Sequence, residues 1–305
     1  MKTILETERL ILRPWEESDA EELYKYASHP DVGPMAGWAV HTSVENSREV
    51  IRDVLSAPGT YAVVLRETGL PVGSVGLMHG KASHIGLPDG EGEIGYWIGV
   101  PYWGQGLIPE AVRELMRYGF EQLALDRIWC GYYDGNLKSK RVQEKCGFRC
   151  HHTSENVPCA IPGLLRTEHM SCITRDQWLW DRLYAAAKAV QNGRKISDYV
   201  EAGGVAAAIL SGSGRIYTGV CVDTCSTLGV CAERNAIFSM ITNGEQEIKK
   251  VLAIMPGGKT GAPCGACREL MVQLMPTGYK GIEIMLDRES EKIATLGELT
   301  PGWWI

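Results

Sequence analysis

The chain has 305 residues and a formal net charge of -6, and that length exceeds what one compact core usually organises, so two domains are expected. Hydrophobic residues at 45% and charged residues at 22% exclude a disordered or fibrous protein, and the acidic balance disfavours nucleic acid or a membrane as partner, since both call for clustered Lys and Arg. No apolar run approaches the roughly 18 residues of a membrane helix, Met1-Lys2-Thr3-Ile4-Leu5-Glu6 turns acidic too early for a signal peptide, and the ten cysteines are too sparse for a disulfide scaffold, so a cytoplasmic protein with cysteine chemistry is expected.

In chain order, the alternation Arg9-Leu10-Ile11-Leu12-Arg13 predicts a strand, and Ala20, Leu23 and Tyr24 within Glu16 to Lys25 predict a helix. Strands are expected at Tyr61 to Arg66 and Pro71 to Met78, joined by a turn through Gly69. Glu93 to Val100 puts Ile94, Tyr96, Ile98 and Val100 on one face and runs into Pro101-Tyr102-Trp103-Gly104-Gln105-Gly106. A helix follows, with Pro109 in its first turn and a stripe of Ala111, Val112, Leu115, Met116 and Gly119.

A second unit begins near Trp178, where Leu179, Leu183, Ala186, Ala187 and Val190 mark an amphipathic helix ending at Asn192-Gly193. This divides the chain into domains of residues 1–176 and 177–305. Gly204 to Leu210 and Arg215 to Val220 flank the turn Ser211-Gly212-Ser213-Gly214 and predict a hairpin. Helices are expected from Cys231 to Asn243-Gly244 and from Cys264 to Pro276, with buried strands at Val251 to Met255 and Ile282 to Leu286.

In the first half, a strand that leads through Trp103-Gly104-Gln105-Gly106 into a helix can offer several backbone N–H groups to an anion such as a pyrophosphate. A Gly-x-Gly turn alone is equally a plain tight turn. More follows downstream, in Asn136, Ser139 and Lys145-Cys146-Gly147-Phe148. With Glu8-Arg9-Leu10-Ile11-Leu12-Arg13-Pro14, Glu93-Ile94-Gly95-Tyr96-Trp97 and Tyr102 to Gly106 before Glu110-Ala111, these elements resemble the GNAT acetyltransferases, particularly the branch that acetylates ribosomal-protein N-termini. The resemblance covers about residues 1 to 176 and departs at Pro101, where many members have Gln or Arg. It implies acetyl-coenzyme A, with its pyrophosphate on the amides of Gly104, Gln105 and Gly106, and acetyl transfer to an amine. Such a transfer needs a base for the amine and an acid for the departing thiolate. Glu93 is the candidate base, Ser139 the candidate acid by the family pattern, and Asn136 a ligand to cofactor or substrate. The plainer reading of Glu93 is a strand-edge carboxylate facing solvent.

In the second half, Cys231-Ala232-Glu233 followed by Pro263-Cys264-Gly265-Ala266-Cys267 is the most specific feature, a signature of zinc deaminases. Cys264 and Cys267 bracket one helical turn, and a helix beginning at each motif favours thiolate. Three protein ligands, Cys231, Cys264 and Cys267, leave a fourth tetrahedral position for water, and Glu233 is near enough to shuttle its proton without being a ligand. Cys221 or Cys225 could in principle close the site. Three thiolates on Zn²⁺ leave a net negative charge, so donors to the sulfurs are needed, and Arg234 and Arg268 directly follow the motifs.

From about residue 178 to 305 the chain closely resembles the small tetrameric cytidine deaminases and the blasticidin S deaminases, through Gly214-Arg215-Ile216-Tyr217-Thr218-Gly219-Val220 and Cys231-Ala232-Glu233-Arg234-Asn235-Ala236-Ile237. The resemblance implies zinc, an arginine at Arg234 bonding the thiolates, and hydroxide attack on the amine-bearing carbon of a cytosine-type ring, with Glu233 moving protons to the ring nitrogen and then to ammonia. True cytidine deaminases bind ribose with Asn-x-Glu after the glycine matching Gly219. Here the stretch is Cys221-Val222-Asp223, so Asp223 replaces the glutamate or binds a positively charged appendage. The expectation is a mixed α/β chain: a GNAT fold, with a mixed twisted sheet and helices, then a cytidine deaminase-like α/β/α sandwich. It would be a bifunctional enzyme acting on a nucleoside or nucleoside antibiotic and on an amine acceptor, and a homotetramer through its C-terminal domain. Housekeeping acetylation joined to pyrimidine salvage is the rival, and a non-catalytic ligand sensor is a third reading. Trp303 and Trp304 at the end are expected to meet a base ring or another subunit, with packing on their own domain as the alternative.

Overall fold

Period-2 alternation builds the first sheet. The computed structural model describes residues 3–83 and 85–304 and divides into the units Met1–Gln177 and Trp178–Ile305. Among the described residues the first unit holds strands β1 (Leu5–Glu6), β2 (Leu10–Arg13), β3 (Thr60–Leu65), β4 (Pro71–His79), β5 (Glu91–Ile98), β6 (Arg127–Tyr133), β7 (Arg149–Pro158) and β8 (Leu165–Thr174), in the order β1-β2-β3-β4-β5-β6-β8-β7. The pairing is antiparallel except between β5 and β6. Helices α1 (Ala20–Ala27), α2 (Gly33–Ala36) and α3 (Val44–Val50) precede β3, while α4 (Leu107–Glu121) and α5 (Leu137–Lys145) flank β6.

The two faces of this sheet are covered by different helices. Ala20, Leu23 and Ala27 of α1 and Val44 of α3 pack with Ala62, Val64 and Trp97. The stripe read on α4 is buried, including Ala111, Val112, Leu115 and Met116, and Gly119 lets that helix close on Leu77 and Ile128. Trp97 therefore shares its face with Glu93, whereas Ile94 and Tyr96 look the other way. β5 and β6 pair only from Glu91↔Arg127 to Glu93↔Trp129, although both strands continue, so they part beyond Glu93.

The second unit is an α/β/α sandwich. Helix α6 (Arg175–Val190) enters it, and its sheet runs β11 (Ile216–Thr224), β10 (Val200–Ser211), β12 (Ile248–Ile254), β13 (Glu283–Asp287), β14 (Lys292–Thr295), with β9 (Arg194–Ser197) on β10. Only β12 and β13 are parallel. Along β10, Ala206, Ala208 and Leu210 meet Trp180, Leu183 and Ala187 of α6, while Ile209 meets Ala236, Ile237 and Met240 of α7 (Ala232–Thr242) and Met271 of α8 (Gly265–Leu274). A last short helix, α9 (Leu296–Leu299), closes on this core through Leu296. No helix among the described residues is long and apolar enough to cross a membrane.

One close approach sets the position of α7. A Cβ on Gly219 would lie 2.4 Å from the Ala236 nitrogen and 2.6 Å from the Ala232 carbonyl oxygen, so β11 meets the helix backbone to backbone. Asn235 fastens the pair by donating to the Val220 carbonyl at 2.9 Å. Gly219→Val should therefore destabilise the second unit by about 1–3 kcal/mol or more, as overpacking against backbone does. Calorimetric unfolding is expected to show the transition of that unit lowered and that of the first unit kept.

Candidate functional site

In the first unit, Gly104 and Gly106 both have φ of +77°, left-handed values that glycine adopts without strain, and Gly106 caps α4. The turn is braced from outside: the Gln105 side-chain amide donates to the Pro101 carbonyl at 2.9 Å, and the Trp103 indole donates to the Ile98 carbonyl at 3.0 Å. Pro101 thus contributes through its carbonyl, which any residue there would supply. The Lys138 ammonium lies 3.2 Å from the centroid of the Trp103 ring, which places a positive charge beside the glycine turn.

Glu93 is not a solvent-facing edge carboxylate. It is 3% exposed, stands on the last paired rung before β5 and β6 part, and accepts a hydrogen bond from the Ser83 hydroxyl at 2.6 Å. Ser139 lies on the other side of the sheet, where its hydroxyl is 2.9 Å from the Tyr96 hydroxyl and its carbonyl accepts from the same phenol at 3.0 Å. Glu93 and Ser139 can therefore address one reacting centre only through the gap between the two strands. Asn136, expected as a ligand, is engaged at both ends of its amide: Oδ1 caps α5 by accepting from the Ser139 N–H at 3.1 Å, and Nδ2 donates to the Met35 carbonyl at 3.2 Å. It orients Ser139. Tyr96, on the same face as Ile94 and Ile98, meets Ser139 in a contact that the sequence did not signal. Burial pushes its phenol well above the usual range, so it keeps its proton.

In the second unit, α7 and α8 begin at one point. Cys231 and Cys264 are their extended N-cap residues, and Cys267 follows one turn into α8. The Cys231 and Cys267 sulfurs each lie 3.5 Å from that of Cys264, and all three are within 4.8 Å of one another. A tetrahedral zinc ion with bonds of about 2.3 Å holds its sulfurs about 3.8 Å apart, so the donor set fits the metal in both chemistry and spacing. Burial, with the negative charges of Glu233 and the neighbouring sulfurs, pushes the Cys267 thiol up. Burial also raises Cys231, whereas at Cys264 it is outweighed by bonds from the Cys267 and Ala266 amides and from the adjacent thiols, leaving that thiol lowered. A dication at the centre favours the thiolate at all three.

Glu233 is 5% exposed, its Oε2 3.7 Å from the Cys267 sulfur. Burial raises its carboxyl against the pull of a backbone amide, Cys267 and Arg234. Arg234 also loses solvation, but its bond to Cys231 and the charges of the three sulfurs outweigh that and hold its guanidinium above the ordinary range. Arg268 is different: it donates to the Pro263 and Leu299 carbonyls, both at 2.9 Å, and so fixes the chain ahead of Cys264 rather than the sulfurs. Cys221 and Cys225 stand outside the cluster. Cys221 accepts from the Val205 N–H at 3.2 Å and lies 3.4 Å from Oδ2 of the exposed Asp223, while Cys225 turns to the Tyr199 carbonyl. Trp303 (2.8 Å) and Trp304 (3.1 Å) both donate to Glu269 of α8, and Trp304 stays 71% exposed. Ile305 lies outside the described residues.

The first unit thus offers a glycine turn ahead of a helix, and the second three converging sulfurs beside a buried carboxyl. Residues 9–149 match the acetyltransferase (GNAT) domain family, and residues 180–279 match the cytidine and deoxycytidylate deaminase zinc-binding region. An uncharacterised N-acetyltransferase, p20 of Bacillus licheniformis, is 33% identical over 150 residues, 48% of this chain and 82% of its own. A cytidine deaminase of Halalkalibacterium halodurans is 32% identical over 99 residues, 32% of this chain and 74% of its own. In fold, the chain is similar to a GCN5-related N-acetyltransferase from Brucella melitensis, with a TM-score of 0.52 at 20% identity, over 64% of this chain and 89% of that one. The chain belongs to the GNAT acetyltransferases through its first unit and to the cytidine deaminase family through its second.

Freshly purified protein is expected to carry one zinc ion per chain. Cys264→Ser should lower its retention during dialysis against a chelator, as read by elemental analysis, whereas Cys221→Ser and Cys225→Ser should leave it unchanged.

Proposed function

We propose that the chain is a bifunctional enzyme, an acetyl-coenzyme A dependent N-acetyltransferase joined to a zinc-dependent hydrolytic deaminase of a cytosine-type nucleoside or nucleoside antibiotic. The observation that carries the second activity is the convergence of three sulfurs beside a buried carboxyl that is not a ligand. Zinc held by Cys231, Cys264 and Cys267 supplies Lewis-acid activation of a water. Glu233 accepts that water's proton, delivers it to the ring nitrogen, and carries the next to the departing ammonia, so that ring amine and water become ring carbonyl and ammonia. Arg234 draws charge from the sulfurs, which leaves the metal the stronger acid.

In the first unit the amides of Gly104, Gln105 and Gly106 would take the pyrophosphate of acetyl-coenzyme A, as the helix start behind them favours. Glu93, directly or through a water, accepts the proton of the amine acceptor as nitrogen attacks the acetyl carbon. Ser139, backed by the protonated Tyr96, returns a proton to the thiolate that leaves. Asn136 serves this step by fixing the start of α5.

The substrate class follows from the departure at Cys221-Val222-Asp223. An exposed carboxylate held beside Cys221, in place of the longer ribose-binding glutamate of relatives, suits a cationic appendage on a cytosine nucleoside. A cytosine-bearing aminoacyl nucleoside has both a ring amine and a free amine, so one molecule could be modified by both units. Assembly as a homotetramer through the second unit is part of this reading. It is supported by Phe238 and Ile241, which lie 47% and 43% exposed one turn apart on α7, an apolar pair that another copy would cover.

Ammonia release from cytidine and from a cytosine-bearing aminoacyl nucleoside antibiotic, compared as kcat/KM, is expected to favour the antibiotic by tenfold or so, and a preference for cytidine would establish salvage instead. Glu233→Gln should retain zinc and lose at least about a thousandfold in deamination, since it removes the proton carrier and no ligand. Gly106→Glu should abolish acetyl-coenzyme A binding in calorimetry, by placing bulk and negative charge at the helix start, while ammonia release continues. Unchanged affinity in that variant would make the glycine segment only a turn.

A further inference from the structure

Helix α4 carries a feature at odds with holding a pyrophosphate at its start. Glu110 lies in its first turn and is only 18% exposed, so a full negative charge sits close behind the amides that a pyrophosphate would meet. That charge is met from one side by a short run of chain before β2. The Arg9 guanidinium contacts Glu110 Oε2 through Nε at 2.7 Å and Nη2 at 2.6 Å. The Arg9 backbone N–H donates to Oε1 at 2.9 Å, and the Thr7 hydroxyl to the same oxygen at 2.6 Å. Burial raises the Glu110 carboxyl, but these bonds outweigh it and hold it below its ordinary range.

The same guanidinium reaches the turn itself. Arg9 Nη1 donates to the Gln105 carbonyl at 3.1 Å, and a Cβ on Gly106 would stand 3.7 Å from Nη2. In a trans peptide the C=O and N–H point in opposite directions. Holding the Gln105 carbonyl towards Arg9 therefore turns the Gly106 N–H away from it, free for a ligand. Arg9 is 46% exposed, so its contact with Glu110 adds little to overall stability, and its effect is electrostatic and local.

We infer that Arg9 is a positioning residue for the acetyl donor: by pairing with Glu110 and holding the Gln105 carbonyl, it keeps the start of α4 electropositive and its Gly106 amide free for a pyrophosphate. The inference rests on the acetyl-coenzyme A reading of the glycine turn, and the measurement separates the two. Calorimetry on the full-length chain would compare acetyl-coenzyme A with S-acetylpantetheine, which lacks the pyrophosphate. Arg9→Ala should weaken acetyl-coenzyme A about tenfold, and the preference for it over S-acetylpantetheine should fall by the same factor. Adding Glu110→Gln to Arg9→Ala should restore most of the loss, because the unpaired carboxylate is then gone. A role in folding alone predicts no such rescue. Arg9→Lys, which keeps the charge and loses the planar fork, should lose only about two- to threefold. Unchanged affinity in Arg9→Ala, or a double variant as weak as the single one, would overturn the inference and leave the cofactor reading standing. A wild-type protein that binds no acetyl-coenzyme A would overturn both.

Discussion

The first N–H groups of a helix have no partner inside it, and each unit leaves such groups open at its candidate site. In the second unit, α7 and α8 start at Cys231 and Cys264, so the positive ends of two helices meet where three sulfurs gather. At Cys264, amides of its own helix together with the adjacent Cys267 and Cys231 thiols outweigh burial and lower its thiol. Other features of that unit serve this meeting of helices. Gly219 lets β11 touch the α7 backbone, and Arg268 and Glu269 tie α8 to the chain end through the Leu299 carbonyl and the two terminal indoles. In the first unit the start of α4 is left to glycines and braced by side-chain bonds to carbonyls, which leaves its amides available.

Features that depend on periodicity or on spacing within one element were legible in the chain. The α4 stripe, the alternation of β5 and the one-turn separation of Cys264 and Cys267 each follow from 3.6 or 2 residues per repeat. Features that depend on partners distant in sequence were not. The burial of Glu93 comes from its place on the last rung between β5 and β6 and from Ser83, neither of which alternation reveals. Arg268 follows a cysteine motif as Arg234 does, yet one guanidinium goes to the sulfurs and the other to the Leu299 carbonyl. Strand β7 went unread because Arg149 to Pro158 is largely exposed, so it lacks an apolar alternation. The terminal tryptophans suggested a partner because aromatic bulk at a chain end is costly to leave free. Their bonds to Glu269, on a helix read for its cysteines, are a long-range contact that the sequence did not reveal.

The two proposed chemistries place similar demands on the chain through different means. Each must take a proton from a nucleophile and give one to a leaving group. In the second unit one carboxyl does both, and burial that raises Glu233 suits it to hold a proton between the two transfers. In the first unit the proposed donor and acceptor are separate groups on opposite faces of a sheet, Glu93 towards α1 and Ser139 with Tyr96 towards α4. The amine and the leaving thiolate are both held on the tetrahedral acetyl carbon, so two groups on different faces can serve it only where the strands part and open the sheet to both. At the amine-bearing ring carbon, the entering oxygen and the departing ammonia share one tetrahedral atom beside the ring nitrogen, all within the sweep of one side chain, so a single buried glutamate can serve each proton transfer.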